Sequence, residues 1–213
     1  MKDWTFHGFA GEFDAHVKEQ LPWYKLASAA LGLIARQYIP RDGKVYDLGA
    51  STGNVGRVLA NTLEARSARL TALDECPDMV AAYNAPGRAL VADMTRFDYK
   101  PFDLCVCFLS LMFLAVPARR KLLTRLRQKL RPGGAIIVFD KLVPPGGYPA
   151  TVLARLTWAS KLDNGAEAAA VVRKELALSG VQRPLYPGEL GADAVEVFRY
   201  GDFTGWIIEG GSG

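Results

Sequence analysis

The sequence is poor in cysteine and histidine, which limits the kinds of site that it can build. Its 213 residues include three cysteines and two histidines, namely Cys76, Cys105, Cys107, His7 and His16. Three cysteines cannot all pair, and none stands at metal-ligand spacing from a histidine. We therefore expect neither a disulfide framework nor a zinc site, and we expect a reducing, cytoplasmic compartment. Cys105 and Cys107 are expected to be small core residues of a strand.

The sequence also lacks a long hydrophobic run. The longest candidate, residues 104–116, is interrupted by Ser110 and is shorter than the roughly 18–20 residues that a membrane span requires. The first residues, Met-Lys-Asp-Trp-Thr, have no apolar core of the kind found in a secretory signal. We therefore expect no membrane partner.

The composition is that of an ordinary globular protein. Hydrophobic residues make up 50% and charged residues 23%, and 26 basic against 22 acidic side chains give a formal net charge of +4. Such a balance permits an anionic partner without arguing for one. Because the chain has no internal repeat or low-complexity linker, we expect a single domain over residues 1–210. Within it we expect an N-terminal helical cap over 1–40 and a helical insertion over 142–192 before the last strands.

Strand-like and helix-like segments alternate through most of the chain. Helical periodicity fills the gaps between short apolar strands, which are predicted at residues 44–48, 69–73, 88–92, 103–110 and 135–139. Two further strands, 195–200 and 203–208, are separated by Gly201-Asp202 and predict a hairpin. The pattern predicts an α/β fold with a mostly parallel seven-stranded sheet and a C-terminal antiparallel hairpin.

A glycine-rich turn follows the first predicted strand and is the most informative segment. It reads Val45-Tyr-Asp-Leu-Gly-Ala-Ser-Thr-Gly-Asn-Val-Gly56, and open α/β sheets bind ligands at such positions. Residues 49–53 match the G-x-S-x-G pattern of serine hydrolases, in which the histidine follows the nucleophile along the chain. Both histidines of this chain precede Ser51, which argues against a hydrolase of that fold.

A dinucleotide site is the second function that uses such a turn. Its fingerprint has glycine at the second conserved position, so that the backbone can approach a pyrophosphate. Ser51 occupies that position here, and its side chain obstructs a phosphate. The turn is therefore a poor match to a nicotinamide or flavin site.

S-adenosylmethionine is the third ligand to consider, and it carries no phosphate. Asp47, Asp74 and Asp93 each lie at the end of a predicted strand. Asp47 can pair with the ligand's ammonium group or order the turn, and Asp74 is placed to accept both ribose hydroxyls. Asp93 is placed to bind the adenine amino group, although an aspartate there can also cap a turn. The three acids favour S-adenosyl-L-methionine as cofactor, with S-adenosylhomocysteine as its product.

These motifs resemble the ordered series of the class I S-adenosylmethionine-dependent methyltransferases. The matching segments lie within residues 20–140 and are Asp47-Leu-Gly-Ala-Ser-Thr-Gly53, Leu73-Asp-Glu75, Ala92-Asp93 and Leu130-Arg-Pro-Gly-Gly-Ala135. The resemblance implies the Rossmann-like fold of that class and the transfer of a methyl group to an acceptor that the sequence does not identify. In-line transfer needs mainly positioning, and no residue stands out as a base.

Within that class the chain is most similar to the carboxy-S-adenosylmethionine synthase family, through Pro22-Trp-Tyr24 and Val45-Tyr-Asp-Leu-Gly49. The resemblance implies a set of cofactor contacts, namely Tyr24, Gly49, Ala50, Ser51, Asp74, Glu75, Asp93, Met94 and Phe108. Phe108 stands where that family has asparagine, and Arg173 is the candidate for binding the extra carboxylate of a carboxylated ligand. Synthesis of such a ligand and a non-catalytic cofactor-binding module are the alternatives to methyl transfer.

The sequence does not identify a macromolecular partner or a general base. One predicted helix and its end carry seven cationic residues, Arg119, Arg120, Lys121, Arg125, Arg127, Lys129 and Arg131. They fit either an RNA or DNA patch or the solvated face of an amphipathic helix. Sheets of this class often pair across their late strands, which leaves a homodimer open. His7 or His16 could act as a base, although histidines of loops and cores are commoner.

Overall fold

The computed structural model describes residues 11, 13–144 and 146–211 of the chain. Within these ranges the strands are β1 Lys44–Leu48, β2 Arg69–Asp74, β3 Arg88–Val91, β4 Phe102–Phe108, β5 Leu130–Lys141, β6 Val195–Tyr200 and β7 Phe203–Glu209. The helices are α1 Phe13–Gln20, α2 Tyr24–Ala35, α3 Asn54–Ala65, α4 Pro77–Ala81, α5 Val116–Lys129, α6 Tyr148–Asp163 and α7 Ala168–Ala177, with a short 3-10 helix at Leu111–Phe113. No helix among the described residues is long and apolar enough to cross a bilayer.

The strands form one sheet in the order β3-β2-β1-β4-β5-β7-β6. The first five strands of that order are parallel, whereas β7 runs antiparallel to both β5 and β6. The predicted α/β fold, with a mostly parallel sheet and a C-terminal antiparallel hairpin, is confirmed. Within the hairpin, β7 lies inside the sheet and β6 forms its edge.

The sheet separates two hydrophobic cores, and β4 shows how the sequence sorts its side chains between them. Every residue of β4 is buried. Leu104, Val106 and Phe108 pack into one core, while Cys105 and Cys107 pack into the other. Successive side chains of a strand point to opposite faces, so a continuous apolar run is what a doubly covered strand requires. The two cysteines are core residues, as predicted.

Helix α1 falls within the helical cap expected over residues 1–40, and His7 lies outside the described residues. One segment differs from the sequence-based expectation. The strand β5 begins at Leu130 rather than at Ala135, because Leu130 pairs with Phe102 before the register shifts. The Pro-Gly-Gly sequence signals a turn, but the backbone accommodates it as an irregularity inside the strand.

Candidate functional site

A cavity of about 540 Å³ lies at the carboxyl edge of the parallel strands. Its position follows from the sheet order, because β1 has β2 on one side and β4 on the other, and ligands of open α/β sheets bind where the strand order reverses. The ten residues predicted to contact the cofactor all line it, namely Tyr24, Asp47, Gly49, Ala50, Ser51, Asp74, Glu75, Asp93, Met94 and Phe108.

The turn after β1 is held close to the sheet by its own backbone. The N–H groups of Gly49 and Ala50 both donate to the carbonyl of Leu73, at 2.8 and 3.0 Å. Gly49 has a φ of +75°, and a Cβ added there would lie 2.5 Å from the Cβ of Ser110. Both its conformation and the space around it therefore require glycine.

Asp74 ties this turn to the end of β2. One of its carboxylate oxygens accepts the Ser51 N–H at 2.9 Å, and the other accepts the Cys76 N–H at 2.9 Å. Burial raises the pKa of Asp74, and the two N–H bonds only partly oppose that effect. Each carboxylate oxygen can accept more than one hydrogen bond, so Asp74 can still take a pair of ligand hydroxyls.

Asp47 lines the cavity with a buried carboxyl group that has no hydrogen-bond partner among the described residues. Its residue exposure is 1%. Burial, together with the negative charge of Asp74, raises the pKa of Asp47 to about 8. A buried acid without a partner is costly to ionise, so this position is complementary to a cationic ligand group.

Asp93 lines the cavity and also stabilises the turn that follows β3. Its Oδ1 accepts hydrogen bonds from the backbone N–H of Thr95 at 2.7 Å and from the Thr95 hydroxyl at 2.6 Å. These bonds lower the pKa of Asp93, with a further contribution from Arg96. The turn-capping role is therefore present, and the other oxygen of the carboxylate keeps acceptor capacity for a ligand.

Two aromatic side chains form one wall of the cavity. Tyr24, at the start of α2, meets Phe108, at the end of β4, edge to face with ring centroids 5.5 Å apart. Both residues are nearly buried, and burial raises the pKa of the Tyr24 hydroxyl. Because both side chains are aromatic rings, this wall is apolar.

The end of the cavity away from the glycine turn is polar, and the sequence did not reveal it. Besides His16, which the sequence offered as a possible base, it includes the unpredicted residues Gln20, Lys141, Lys161, Lys174, Glu175 and Gln182. Lys161 bonds to Glu175 at 2.9 Å, and Lys141 bonds to Gln182 at 3.2 Å. Lys174 Nζ lies 2.9 Å from His16 Nε2. These contacts join α1, α6, α7 and β5, which are far apart in the sequence, so no local sequence motif predicts them.

Arg173 requires a correction, because it does not reach this cavity. Its side chain is 71% exposed and pairs with Glu167 at 3.6 Å on the outer face of α7. Val171 and Leu178 mark the inner face of that segment, and helical phase then turns Lys174 inward and Arg173 outward. No arginine is found among the described residues that line the cavity.

Helix α1 lines the cavity and is attached to the rest of the protein near both of its own ends. Asp14 accepts a hydrogen bond from the Thr52 hydroxyl at 2.6 Å and pairs with Arg57 at 2.8 Å, beside the glycine turn. At the other end, the Asn164 amide donates to the carbonyl of Glu19 at 2.6 Å. His16, considered above as a base, therefore belongs to a helix that lines the ligand space.

The seven cations of the basic cluster lie on α5 and at the start of β5. Four of them make contacts within the protein, and the RNA or DNA interpretation stays a prediction. Arg119 pairs with Glu189 at 2.8 Å with both side chains fully buried, and Arg127 pairs with Asp193 at 2.5 Å. Arg125 donates to backbone carbonyls, and Arg131 bonds to Asp103. Arg119, Arg125 and Arg127 join the helix to neighbouring loops, whereas Arg131 joins β5 to β4.

Comparison with known proteins agrees with this geometry. Residues 45–134 match a family model described as a methyltransferase domain. Over 185 residues the chain is 31% identical to the carboxy-S-adenosyl-L-methionine synthase of Ectopseudomonas mendocina (strain ymp), covering 81% of this chain and 75% of that protein. It is 28% identical over 189 residues to the synthase of Staphylococcus epidermidis, covering 85% and 82%.

Solved structures show the same fold. Human N-acetylserotonin methyltransferase in complex with SAM aligns with a TM-score of 0.58 at 14% identity, over 91% of this chain and 54% of that chain. Two findings establish the family of this chain. They are the 31% identity to the Ectopseudomonas protein over 81% of this chain and the match to the methyltransferase domain. The chain is a class I S-adenosylmethionine-dependent methyltransferase by superfamily and belongs to the carboxy-S-adenosyl-L-methionine synthase family.

Proposed function

We propose that the cavity binds S-adenosylmethionine at the ends of β1, β2 and β3 and that the enzyme methylates a small acceptor held at the polar end. The observation that carries the proposal is Asp47, a buried carboxylate without a partner among the described residues, at the base of a cavity edged by two more acids. The α-ammonium of the cofactor supplies the cation that this position requires.

We assign each of the remaining contacts to one part of the cofactor. Asp74 would accept the ribose hydroxyls, and Asp93 would accept the adenine amino group. The close approach of the backbone at Gly49, Ala50 and Ser51 leaves room for the methionine portion, because glycine at position 49 projects nothing toward Ser110. Glu75 and Met94 line the cavity between these groups, and Tyr24 and Phe108 form its apolar wall.

When bound, the cofactor supplies a methyl group activated by the positive sulfonium. The protein's contribution is to hold the acceptor in line and to exclude water, since the departing thioether is neutral and needs no acid. Helix α1 lines the cavity, and the volume of about 540 Å³ falls within the size range of small-molecule sites. A small acceptor fits this enclosed site better than a nucleic acid does.

Synthesis of a carboxylated S-adenosylmethionine is the second candidate. Membership of the synthase family favours it, and the cations Lys141, Lys161 and Lys174 are among the residues that line the cavity. Against it, Arg173 lies outside the cavity, so the arginine that the family resemblance suggested is not available. We therefore place methyl transfer first.

The proposal extends to the compartment, the domain organisation and the oligomeric state of the enzyme. We place it in the cytoplasm, because Cys76, Cys105 and Cys107 are free thiols, as a reducing compartment allows. We treat residues 1–210 as one domain, since a single sheet takes strands from both halves of the chain. A homodimer is to be tested by light scattering, because α6 exposes apolar side chains that include Leu156 and Trp158.

Identification of the ligand that co-purifies with the protein tests the proposal. Mass spectrometry of a denatured sample should find S-adenosylmethionine or S-adenosylhomocysteine, and calorimetry should show that both bind to protein stripped of ligand. A carboxylated species would instead establish the synthase reading. Absence of any adenosyl ligand, together with no calorimetric binding of either compound, would overturn both.

A further inference from the structure

The buried side-chain polar atoms that lack a hydrogen-bond partner are concentrated in the cavity. Among the described residues they belong to Gln20, Asp47, Ser110 and Thr204, and all of these except Thr204 line the cavity. Buried polar atoms are normally bonded, so a group of exceptions in one place indicates a ligand that bonds to them. The ammonium of the cofactor explains Asp47, whereas the hydroxyl of Ser110 is unexplained.

Ser110 stands at the N-terminal cap of the 3-10 helix Leu111–Phe113, yet its hydroxyl does not cap that helix. A serine at such a position normally accepts a hydrogen bond from a backbone N–H of the first turn. Here Asp140 caps the helix instead, because its Oδ2 accepts the N–H groups of Leu111 and Met112 at 2.8 and 3.1 Å. The serine hydroxyl therefore remains available to a ligand.

The backbone is held in place on both sides of Ser110. The N–H of Leu109 donates to the carbonyl of Phe139 at 2.7 Å, and Leu109 has a φ of +58°. A leucine in the left-handed region is unfavourable and persists only where the surrounding structure enforces it, often at a ligand site. Bonds to Phe139 on one side and to the buried Asp140 on the other therefore fix Ser110 before a ligand binds.

The hydroxyl of Ser110 lies against the glycine turn. Its Oγ is 3.4 Å from the position of a Cβ added at Gly49. Asp47 is two residues before that glycine, so chain geometry keeps the Cα atoms of Asp47 and Gly49 within about 7 Å of each other. An ammonium can bridge two oxygens up to about 6 Å apart, since each N–H···O bond spans about 2.9 Å.

The charges beside the turn favour the ammonium over the carboxylate of the cofactor's amino acid. A ligand carboxylate at Ser110 would lie near the acids Asp47 and Asp74, which already repel each other. An ammonium is attracted to the same acids, and a hydroxyl oxygen can accept one of its N–H groups.

We infer that the Ser110 hydroxyl binds the α-ammonium of the cofactor together with Asp47, and that Asp140 is the positioning residue that leaves this hydroxyl available. Asp140 is not among the described residues that line the cavity, so it acts through Ser110. The inference rests on the proposed function and deepens it, because it adds a contact for the same cofactor.

Three ligands that differ at the amino-acid end test the contact by calorimetry. S-adenosylhomocysteine carries the ammonium and the carboxylate, its decarboxylated analogue keeps the ammonium alone, and methylthioadenosine has neither. Ser110→Ala should weaken binding of the first two by about tenfold or more, the scale of a hydrogen bond to a charged group. The affinity for methylthioadenosine should be unchanged.

Thr204→Val is the matched control. Thr204 is 1% exposed and its hydroxyl likewise has no partner among the described residues, but it does not line the cavity. The substitution removes the same kind of group, so all three affinities should be unchanged. An equal effect of Thr204→Val and Ser110→Ala would mean that loss of a buried hydroxyl acts through the fold, and it would overturn the contact.

Variants of Asp140 test its positioning role. In Asp140→Ala the N–H groups of Leu111 and Met112 lose their acceptor and recruit the Ser110 hydroxyl. Binding of S-adenosylhomocysteine should then fall as in Ser110→Ala, while binding of methylthioadenosine is kept. Adding Ser110→Ala to Asp140→Ala should weaken S-adenosylhomocysteine little further, because the two residues act on one contact. Fully additive losses would overturn the role of Asp140.

Asp140→Asn keeps an acceptor oxygen for the helix, so it should retain most of the affinity for S-adenosylhomocysteine. This variant decides the matter if Asp140→Ala does not fold. Loss of the preference for S-adenosylhomocysteine over methylthioadenosine in folded Asp140→Asn protein would overturn the positioning role.

The outcomes separate this inference from the proposed function. If S-adenosylhomocysteine binds and Ser110→Ala leaves its affinity unchanged, or weakens it without weakening the decarboxylated analogue, the ammonium contact is wrong while the cofactor site stands. If Ser110→Ala weakens all three ligands equally, Ser110 is structural and the inference is wrong. If S-adenosylhomocysteine fails to bind to the unmodified protein, the proposed function is wrong, and this inference fails with it.

Discussion

The carboxylate of Asp74 accepts a hydrogen bond from the backbone N–H of Ser51 at 2.9 Å. The acid at the end of β2 thus holds the turn that follows β1, and two motifs separated in the sequence act as one element. Asp74 therefore both orients the turn and provides the acceptor group for the ligand. A substitution of Asp74 changes both properties together.

Replacing that side chain should therefore weaken cofactor binding strongly. In Asp74→Ala the ligand hydroxyls lose a charged acceptor and the turn loses an anchor, at a cost of about 1.5–3 kcal/mol, or roughly 10- to 150-fold in affinity. Calorimetry with S-adenosylhomocysteine measures the change. Asp98→Ala is the matched control, because Asp98 is exposed and pairs with Lys100. Unchanged affinity in folded Asp74→Ala protein would refute the ribose assignment.

A side chain at Gly49 should abolish binding by geometry. In Gly49→Val the new Cβ lies 2.5 Å from the Cβ of Ser110, and the φ of +75° strains any β-branched residue. Gly133→Val is the control, since Gly133 has a φ of +74° but no atom within 4 Å of an added Cβ. Thermal unfolding should show a loss of stability in both variants, and a ligand-induced shift should persist only in the Gly133 variant.

Cofactor binding should release a proton from Asp47. With its pKa raised to about 8, Asp47 is mostly protonated in the free protein at about pH 7. The ligand's ammonium favours the ionised form, so affinity should rise with pH up to that pKa and then level off. Calorimetry in two buffers of different ionisation enthalpy measures the protons released. Asp47→Asn should remove this component, and equal release from both proteins would contradict the assignment.

The buried pair of Arg119 and Glu189 should dominate the stability of the loop after α7. Arg119→Met leaves the Glu189 carboxylate buried without its partner, a change that costs about 3–5 kcal/mol. Chemical denaturation measures the loss, and the added change Glu189→Leu should recover much of it. Arg199→Met is the control, because its pair with Glu196 is half exposed and contributes about 1 kcal/mol or less.

The cofactor side of the site was accessible to sequence reasoning because each element carries its own signal. Asp47 and Asp74 end the strands β1 and β2, and parallel strands place their ends at one edge. The segment 44–48 was predicted with its observed bounds. The location of these residues together follows from topology, whereas their roles toward the ligand stay predictions.

The polar end was not accessible in this way, because it is built by helices far apart in the sequence. His16 and Lys174 meet across the fold, and neither belongs to a motif. The phase of α7 was hidden as well. Val171 and Leu178 are buried whereas Val172 and Leu176 are exposed, and the sequence alone does not show which of these apolar residues face inward.

The attachments of α1 have a kinetic consequence. One helix is bonded through Asp14 to the cofactor turn and through Glu19 to Asn164, so moving it away from the cavity requires both attachments to break. If this movement limits product release, as is common for mobile segments that border a site, it sets the turnover rate. Because the pair of Asp14 and Arg57 is partly exposed, dissolved salt screens it, and turnover should quicken as ionic strength rises.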